Sequence, residues 1–469
     1  MAERYDILVI GAGPGGHAAA LEAARLGARA AIVERQGWGG TCTHRGCIPT
    51  KALLTCSGQF AGIRKLRRLG INAGEASFDY AAMKRHQEQI VKVSALGVVK
   101  SLQEAGVEMI VGEGRIVAPG EVEWTAPDGA PKRILARELI IAWGSEPALP
   151  PGVQPSERVL TSDGLLALGT LPASILIVGG NVIGVEFATL LTELGVRVTL
   201  IELMEQLLPG EEPEASLLLT RELTKAEVAV QTGVRMEAVH QSASGVEIRA
   251  ISGQAEAAAR DSGPGGSAAA ATAPPPQTYS AEYALIATGR KPSLRPEELD
   301  RLGIRYDRRG ITVDAEQRTS VPGIHAVGDV TGGMMLAHRA MQQGKALAGR
   351  LCGSAEIRYN EEAVPAVVYT HPQIARVGLT EAGAVRRGLD IRIHRADFGA
   401  NIIARAGLMG SGFVKLIFHE ERLVGATVAG EQAGELIAPL SLALAAGLGR
   451  RQLREWIIPH PTLSEVLGL

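Results

Sequence analysis

The sequence predicts an α/β fold built from two similar βαβ units, with an α+β region after them. Three observations carry that expectation. An apolar strand, a glycine-rich turn, a helix and a second strand recur in the same order 168 residues apart. A length of 469 residues exceeds what one hydrophobic core serves, so several domains are expected. After about residue 350 the glycine-turn pattern stops, and strands followed by a long helix replace it.

The first copy is DILVIGAGPGGHAAALEAARLGARAAIVER (6–35) and the second is SILIVGGNVIGVEFATLLTELGVRVTLIEL (174–203). Gly11 maps to Gly179, Gly16 to Gly184 and Glu34 to Glu202. In such a unit the first glycine permits the tight turn. The second, Gly13 here, lets backbone approach a pyrophosphate, and the third lets the helix pack on the strand. The helix N-terminus offers unpaired N–H groups and partial positive charge to that pyrophosphate. Glu34 and Glu202 suit a ribose 2′-hydroxyl and would repel a 2′-phosphate. Gly180 and Ile183 complete the second turn, which departs from the first at Asn181, where a side chain is expected to crowd the phosphate. Strand, turn, helix and acid stand in place twice, so two Rossmann-like dinucleotide-binding domains are expected.

Two later segments pair with these units. ALIATGR (284–290) reads as a strand and a tight turn, and IHAVGDVTGGMMLAHRA (324–340) as a strand, then Gly328-Asp329, then a helix. Asp329 at the end of a strand suits the polyol hydroxyls of a cofactor. The Ala-, Gly-, Ser- and Pro-rich stretch 252–278 has almost no large apolar groups and is expected to be a mobile loop. VVYTHPQIARVGLTE, GFVKLIF and RLVGATVAG read as strands and ELIAPLSLALAAGL as a helix. With no phosphate-type turn of its own, this last region is expected to be a C-terminal α+β dimerisation domain. The expected boundaries are 1–150 and 283–350 for the first nucleotide domain, 151–282 for the second, and 351–469 for the interface domain.

Hydrophobic content of 46% and charged content of 21% are those of an ordinary soluble protein. A net charge of −2 argues against nucleic acid or an acidic membrane surface as partner. RKLRR (64–68) reads as a solvated helix face. The longest apolar stretch, 436–449, contains Pro439 and is short for a membrane span, so a buried helix is expected. The chain enters a strand-like run within five residues of Met1, without an export signal. Four cysteines in such a chain point to a reducing cytoplasm.

Half of those cysteines lie in GWGGTCTHRGCIPTK (37–51), as Cys42 and Cys47. A structural bridge, a metal site and a working redox pair are the candidates. No second ligand pair is visible for zinc. In a regular helix, residues five apart are separated by about 8.6 Å between Cα atoms, whereas a disulfide needs roughly 7 Å or less. A bridge therefore requires a distorted segment, and Gly46 and Pro49 permit or impose distortion. A bridge held in a distorted turn is easily reduced, which suits a redox role. Thiol chemistry needs a base, and IIPHPTLSEVLGL (457–469) offers His460 with Glu465 to hold its tautomer. Cys56 and Cys352 read as buried small hydrophobes.

Nearly end to end, the chain resembles the flavoprotein disulfide reductases. GGTCTHRGCIPTKALL is similar to their redox motif, and MLAHRA, VVYTHPQIARVG and HPTLSE to their later motifs. The resemblance implies FAD in the first nucleotide domain, NAD in the second, and a homodimer. It implies that Cys42 exchanges with substrate and Cys47 faces the flavin, with Lys51 near the ring and paired with Glu186. Gly40, Thr41, Gly114, Asp329 and Ala337 would join Gly11, Gly13, Gly16 and Glu34 around FAD. Gly289 would join Gly179, Gly180, Ile183, Gly184 and Glu202 around NAD. His460 and Glu465 would be the acid/base pair, given by each subunit to the other. The substrate implied is the dithiol of a lipoyl group on a carrier protein. Relatives acting on glutathione or mercury, or a redox-inactive subunit of a complex, are the alternatives. Glu202 speaks against the NADPH that glutathione enzymes favour, and no cysteine pair of the mercuric type stands near the end. The chain departs from the family pattern at His44-Arg45, a pair expected to lower the cysteine pKa, at Trp143 and at Ile458.

Overall fold

The structure is a computed structural model that describes residues 4–127, 129–252, 276–354 and 356–469. These fall into two compact units. The first comprises the chain up to Ala52, Lys84–Ala148 and Arg290–Glu361, and the second Leu53–Met83, Leu149–Gly289 and Glu362–Leu469.

The first unit is organised by a sheet of seven strands among the described residues. Glu108–Val111, Ala30–Glu34, Arg4–Ile10 and Lys132–Ile141 run parallel in that order, and Ile324–Ala326 adds to the last of them. Glu121–Thr125 and Glu113–Ala118 extend the sheet antiparallel. Ile7, Leu8, Val9 and Ile10 are buried, as are Ala30 to Val33, because a parallel sheet is covered on both faces. The Pro14–Arg25 helix opens with Pro at its first turn and packs on the Ala337–Leu351 helix. A Cβ added to Gly344 would meet Gly15 O at 2.3 Å, so these helices meet backbone to backbone.

The second unit holds the repeat: parallel strands Ala229–Gln231, Arg197–Ile201, Ser174–Val178, Tyr283–Ile286 and Val159–Leu160. A three-stranded antiparallel sheet follows, Val234–Gln241, Val246–Ser252 and Gln277–Ala281. Of the expected loop 252–278, residues 253–275 lie outside the described residues. Its edges are strand: Ser252 ends one, and Gln277 and Thr278 pair with Ala250 and Arg249 in the next.

The C-terminal part of this unit is a five-stranded antiparallel sheet in the order Ala366–Val368, Gln373–Gly378, Arg422–Gly430, Phe413–His419, Ile391–Asp397. The Ala433–Ala445 helix lies on it through Leu436, Ile437 and Leu440. The expected buried helix is buried on one face only, since Leu442 is 70% exposed. No helix among the described residues is long and apolar enough to cross a membrane.

Candidate active site

At the first turn, Gly11 has φ +109°, and a Cβ there would strike Ala142 O at 2.3 Å. At Gly16 a Cβ would strike Gly11 O at 1.9 Å, so only glycine lets the helix begin against the strand end. At Gly13 a Cβ would meet nothing within 4 Å. The face of this turn is therefore open, as a bound pyrophosphate requires. Glu34 ties the turn down: its carboxylate accepts from Ala12 N at 2.7 Å and from Gln36 N at 2.7 Å. The residues present fit a dinucleotide.

From Glu34 the chain returns to the turn, where Gly39 N donates to Ala12 O at 2.9 Å. Gly39 and Gly40 take φ +101° and +61°, and a Cβ on Gly40 would lie 2.7 Å from Gly13 Cα. Two helices then follow, Gly40–Arg45 with Thr41 and Cys42, and Cys47–Leu66 with Lys51. Gly46 separates them at φ −138°, ψ −112°. This is the distortion that the cysteine spacing demands. Cys42 is half-buried and Cys47 exposed. They hydrogen-bond to one another, and this contact, with burial, pushes the Cys42 thiol well up against the pull of the Lys51 ammonium.

Neither His44 nor Arg45 is among the groups that set the Cys42 thiol. The His44 ring bonds Trp38 O at 3.0 Å and lines an apolar cleft of about 540 Å³ with Val91, Ala95 and Leu96. Arg45 donates to Gln36 Oε1 at 2.6 Å. The cation acting on Cys42 is Lys51.

The first unit also contains a relay that the motifs did not reveal. Arg290 donates to Ser145 Oγ at 2.8 Å, and Ser145 Oγ donates to Asp329 Oδ2 at 2.6 Å. The short strand pair Ser145–Pro147 and Arg290–Pro292 brings them together. Asp329 lies in a 3₁₀ turn, Gly328–Thr331, ahead of the helix that starts at Ala337. Gly114 is in the strand Glu113–Ala118, packed on Val33 and Ile10. Trp143 lies under the Arg295 guanidinium at 4.7 Å, with its Nε1 buried and unpartnered among the described residues.

In the second unit Gly179 has φ +110°, and a Cβ on Gly184 would strike Gly179 O at 1.8 Å. Glu202 accepts from Gly180 N at 2.5 Å and Met204 N at 2.7 Å. Ile183 lies in the first turn of the Val182–Glu193 helix, and Gly289 takes φ +116° in open space. Asn181 is the helix N-cap, its Oδ1 accepting from Val182 N at 2.9 Å. This turn fits a dinucleotide with one helix amide already engaged.

Buried Glu186, on the same helix, accepts from Tyr369 N at 3.0 Å. Glu193 accepts from Ser57 Oγ at 2.6 Å and meets His371 Nδ1 at 2.7 Å. The motif VVYTHPQIARVG contained His371, but nothing in the sequence paired it with Glu193. At the C-terminus His460 Nδ1 lies 2.9 Å from Glu465, whose other oxygen accepts from Thr462 N at 2.6 Å. The hydrogen bond from His460 holds the Glu465 carboxyl below its ordinary range. The His460 side chain is 76% exposed, so its other nitrogen is reachable.

Residues 5–344 match the pyridine nucleotide-disulphide oxidoreductase family, and residues 364–469 its dimerisation domain. The dihydrolipoyl dehydrogenase of Chlorobaculum tepidum is 37% identical, covering 100% of this chain and 96% of its own. That of Bacillus subtilis is 35% identical over 98% and 94%. LpdA from Mycobacterium tuberculosis superimposes with a TM-score of 0.88 at 27% identity, covering 99% of this chain and 98% of its own. RclA, the HOCl-induced flavoprotein disulfide reductase of Escherichia coli, gives 0.81 at 25% identity, over 99% and 98%.

Proposed function

The chain belongs to the pyridine nucleotide-disulphide oxidoreductase family, and from that premise we propose that it is a dihydrolipoyl dehydrogenase. It acts as a homodimer through its dimerisation domain. The observation that carries this reading is the hydrogen-bonded thiol pair Cys42 and Cys47 across the Gly46 break, beside Lys51. Its cofactors are FAD and NAD. Gly11, Gly13, Gly16, Glu34, Gly40, Thr41, Gly114, Asp329 and Ala337 would hold the first. Gly179, Gly180, Ile183, Gly184, Glu202 and Gly289 would hold the second. FAD, when bound, carries the electron pair between the thiols and the nicotinamide.

The chain's own part is thiol exchange and proton control. Starting from a Cys42–Cys47 disulfide, a substrate thiolate attacks Cys42 Sγ, and Cys47 leaves as thiolate. The second substrate sulfur displaces Cys42, closing the lipoyl ring and leaving the dithiol. Overall, dihydrolipoamide and NAD⁺ give lipoamide, NADH and one proton. Glu465 holds His460 by Nδ1, so Nε2 is the atom that takes the substrate proton. The natural substrates are lipoylated carrier proteins of the 2-oxoacid dehydrogenase or glycine cleavage type, in the cytoplasm.

The test is NADH formation from dihydrolipoamide. Cys42→Ser should abolish it, and His460→Gln should lower kcat by about 10²–10⁴. Turnover of glutathione with NADPH in its place, or full activity in His460→Gln, overturns the reading.

A further inference from the structure

Near the C-terminus three arginines crowd one short helix. Arg450, Arg451 and Arg454 stand on Arg450–Glu455, which is anchored to the core by buried Leu453. Arg454 lies four positions after Arg450 and three after Arg451, so the three share one side of the helix. With Arg392, Glu421 and Glu455 they line a cleft of about 620 Å³. Four cations face two anions there, in a chain whose net charge is −2. Arg392 pairs with Glu421 at 2.9 Å. Arg450, Arg451 and Arg454 have no ion-pair partner among the described residues.

Like charges three and four apart on a helix repel, so the cluster does not serve stability. Guanidinium groups present flat forks of donors suited to carboxylates. The helix also has a telling place in the chain: after Glu455 come Trp456, 36% exposed, and Ile457, 91% exposed, and then His460. An unpaired basic surface and an apolar step thus precede the proposed proton acceptor.

We propose that this arginine cluster is the docking surface for an acidic lipoyl-bearing carrier protein, which it steers toward the site served by His460. The inference rests on the dihydrolipoyl dehydrogenase reading and goes beyond it by stating the charge of the partner and the surface that meets it. Complementary charge of this kind acts mainly on the association rate and is screened by salt.

The test compares two substrates in the holoenzyme: free dihydrolipoamide and an acidic, dihydrolipoylated carrier domain. The enzymes are the wild type, the triple variant R450E/R451E/R454E and its neutral counterpart R450Q/R451Q/R454Q. For the carrier at low salt, kcat/KM should fall about tenfold or more in the charge-reversed enzyme and less in the neutral one. The wild type's salt dependence should vanish in the neutral enzyme and reverse in the charge-reversed one. Turnover of free dihydrolipoamide should not change. An unchanged kcat/KM for the carrier, or an equal loss with both substrates, overturns the proposal. So does an altered oligomeric state of the neutral variant, which would assign the surface to a second copy of this chain. If the wild type fails on free dihydrolipoamide, the functional reading falls instead. Calorimetric titration with the acidic carrier domain then decides the docking surface by itself: binding lost in the charge-reversed enzyme supports it, and equal binding to both enzymes overturns it.

Discussion

At Gly11 and Gly179 the backbone turns at φ +109° and +110°, and at Gly16 and Gly184 an added Cβ would strike carbonyl oxygen at 1.9 and 1.8 Å. Glu34 and Glu202 each brace their turn through backbone amides. Even the return of the chain is shared, since Gly39 N bonds Ala12 O at 2.9 Å and Leu208 N bonds Gly180 O at 3.0 Å. The copies part at three places. Gly13 faces Asn181 in the alignment, and the left-handed residue after the acid is Gly40 at φ +61° in one and Leu208 at φ +49° in the other. In the first copy a glycine pair lies against the turn and opens the cysteine helices. In the second, Leu207 and Leu208 are buried and seal that position. What is repeated builds the frame, and what is not repeated decides its chemistry.

The strongest way to break this comparison is at the shared glycines. Gly16→Ala and Gly184→Ala should each cost about 3 kcal/mol or more by overpacking, with Gly16→Ala also losing bound flavin. Thermal unfolding and flavin absorbance check this, and full tolerance of either change removes the argument that glycine is required there. Next in size is the seal. Leu208→Ala should cost about 2–5 kcal/mol from the cavity, although it leaves an unfavourable left-handed backbone no better suited. A denaturant titration reads the difference.

Histidines sharpen the contrast between the two units at a smaller scale. In the first, burial outweighs the Glu138 hydrogen bond and lowers the His325 pKa. Its folded value lies below the unfolded 6.5, so stability should fall as pH drops through that window. In the second, burial opposes the charge of His371, but the Glu193 hydrogen bond together with the negative charges of Glu193 and Glu431 outweighs it and raises the pKa. That contribution is complete below pH 6.5 and lost as pH rises through the higher folded value. Melting temperatures of His325→Gln and His371→Gln against pH should therefore diverge from wild type on opposite sides of neutrality. The smallest effect is expected at Asn181→Gly, a few tenths of a kcal/mol, because glycine also serves as an N-cap. A loss near that of Leu208→Ala would mean that Asn181 does more than cap its helix.

Much of this was legible in the residues. The repeat, the positions of its two acidic residues and the His460–Glu465 pair follow from local spacing, because each lies within one βαβ unit or one short turn. Asn181 was legible only by position. Crowding and capping are both open to a side chain, and the backbone angle decides between them. His44 and Arg45 bond Trp38 and Gln36, contacts that no spacing along the sequence announces. Ser145, Arg290 and Asp329 lie far apart in the chain, as do Ser57, Glu193 and His371. No pattern along the sequence brings such groups together before the strands are paired.

The interruption at Gly46 has a further effect on two side chains of the same kind. It makes Cys47 the first residue of a twenty-residue helix while leaving Cys42 inside a separate six-residue one. The amino end of a long helix favours negative charge, so the backbone alone makes the two sulfurs unequal. One is suited to hold a charge in place, the other to meet whatever arrives.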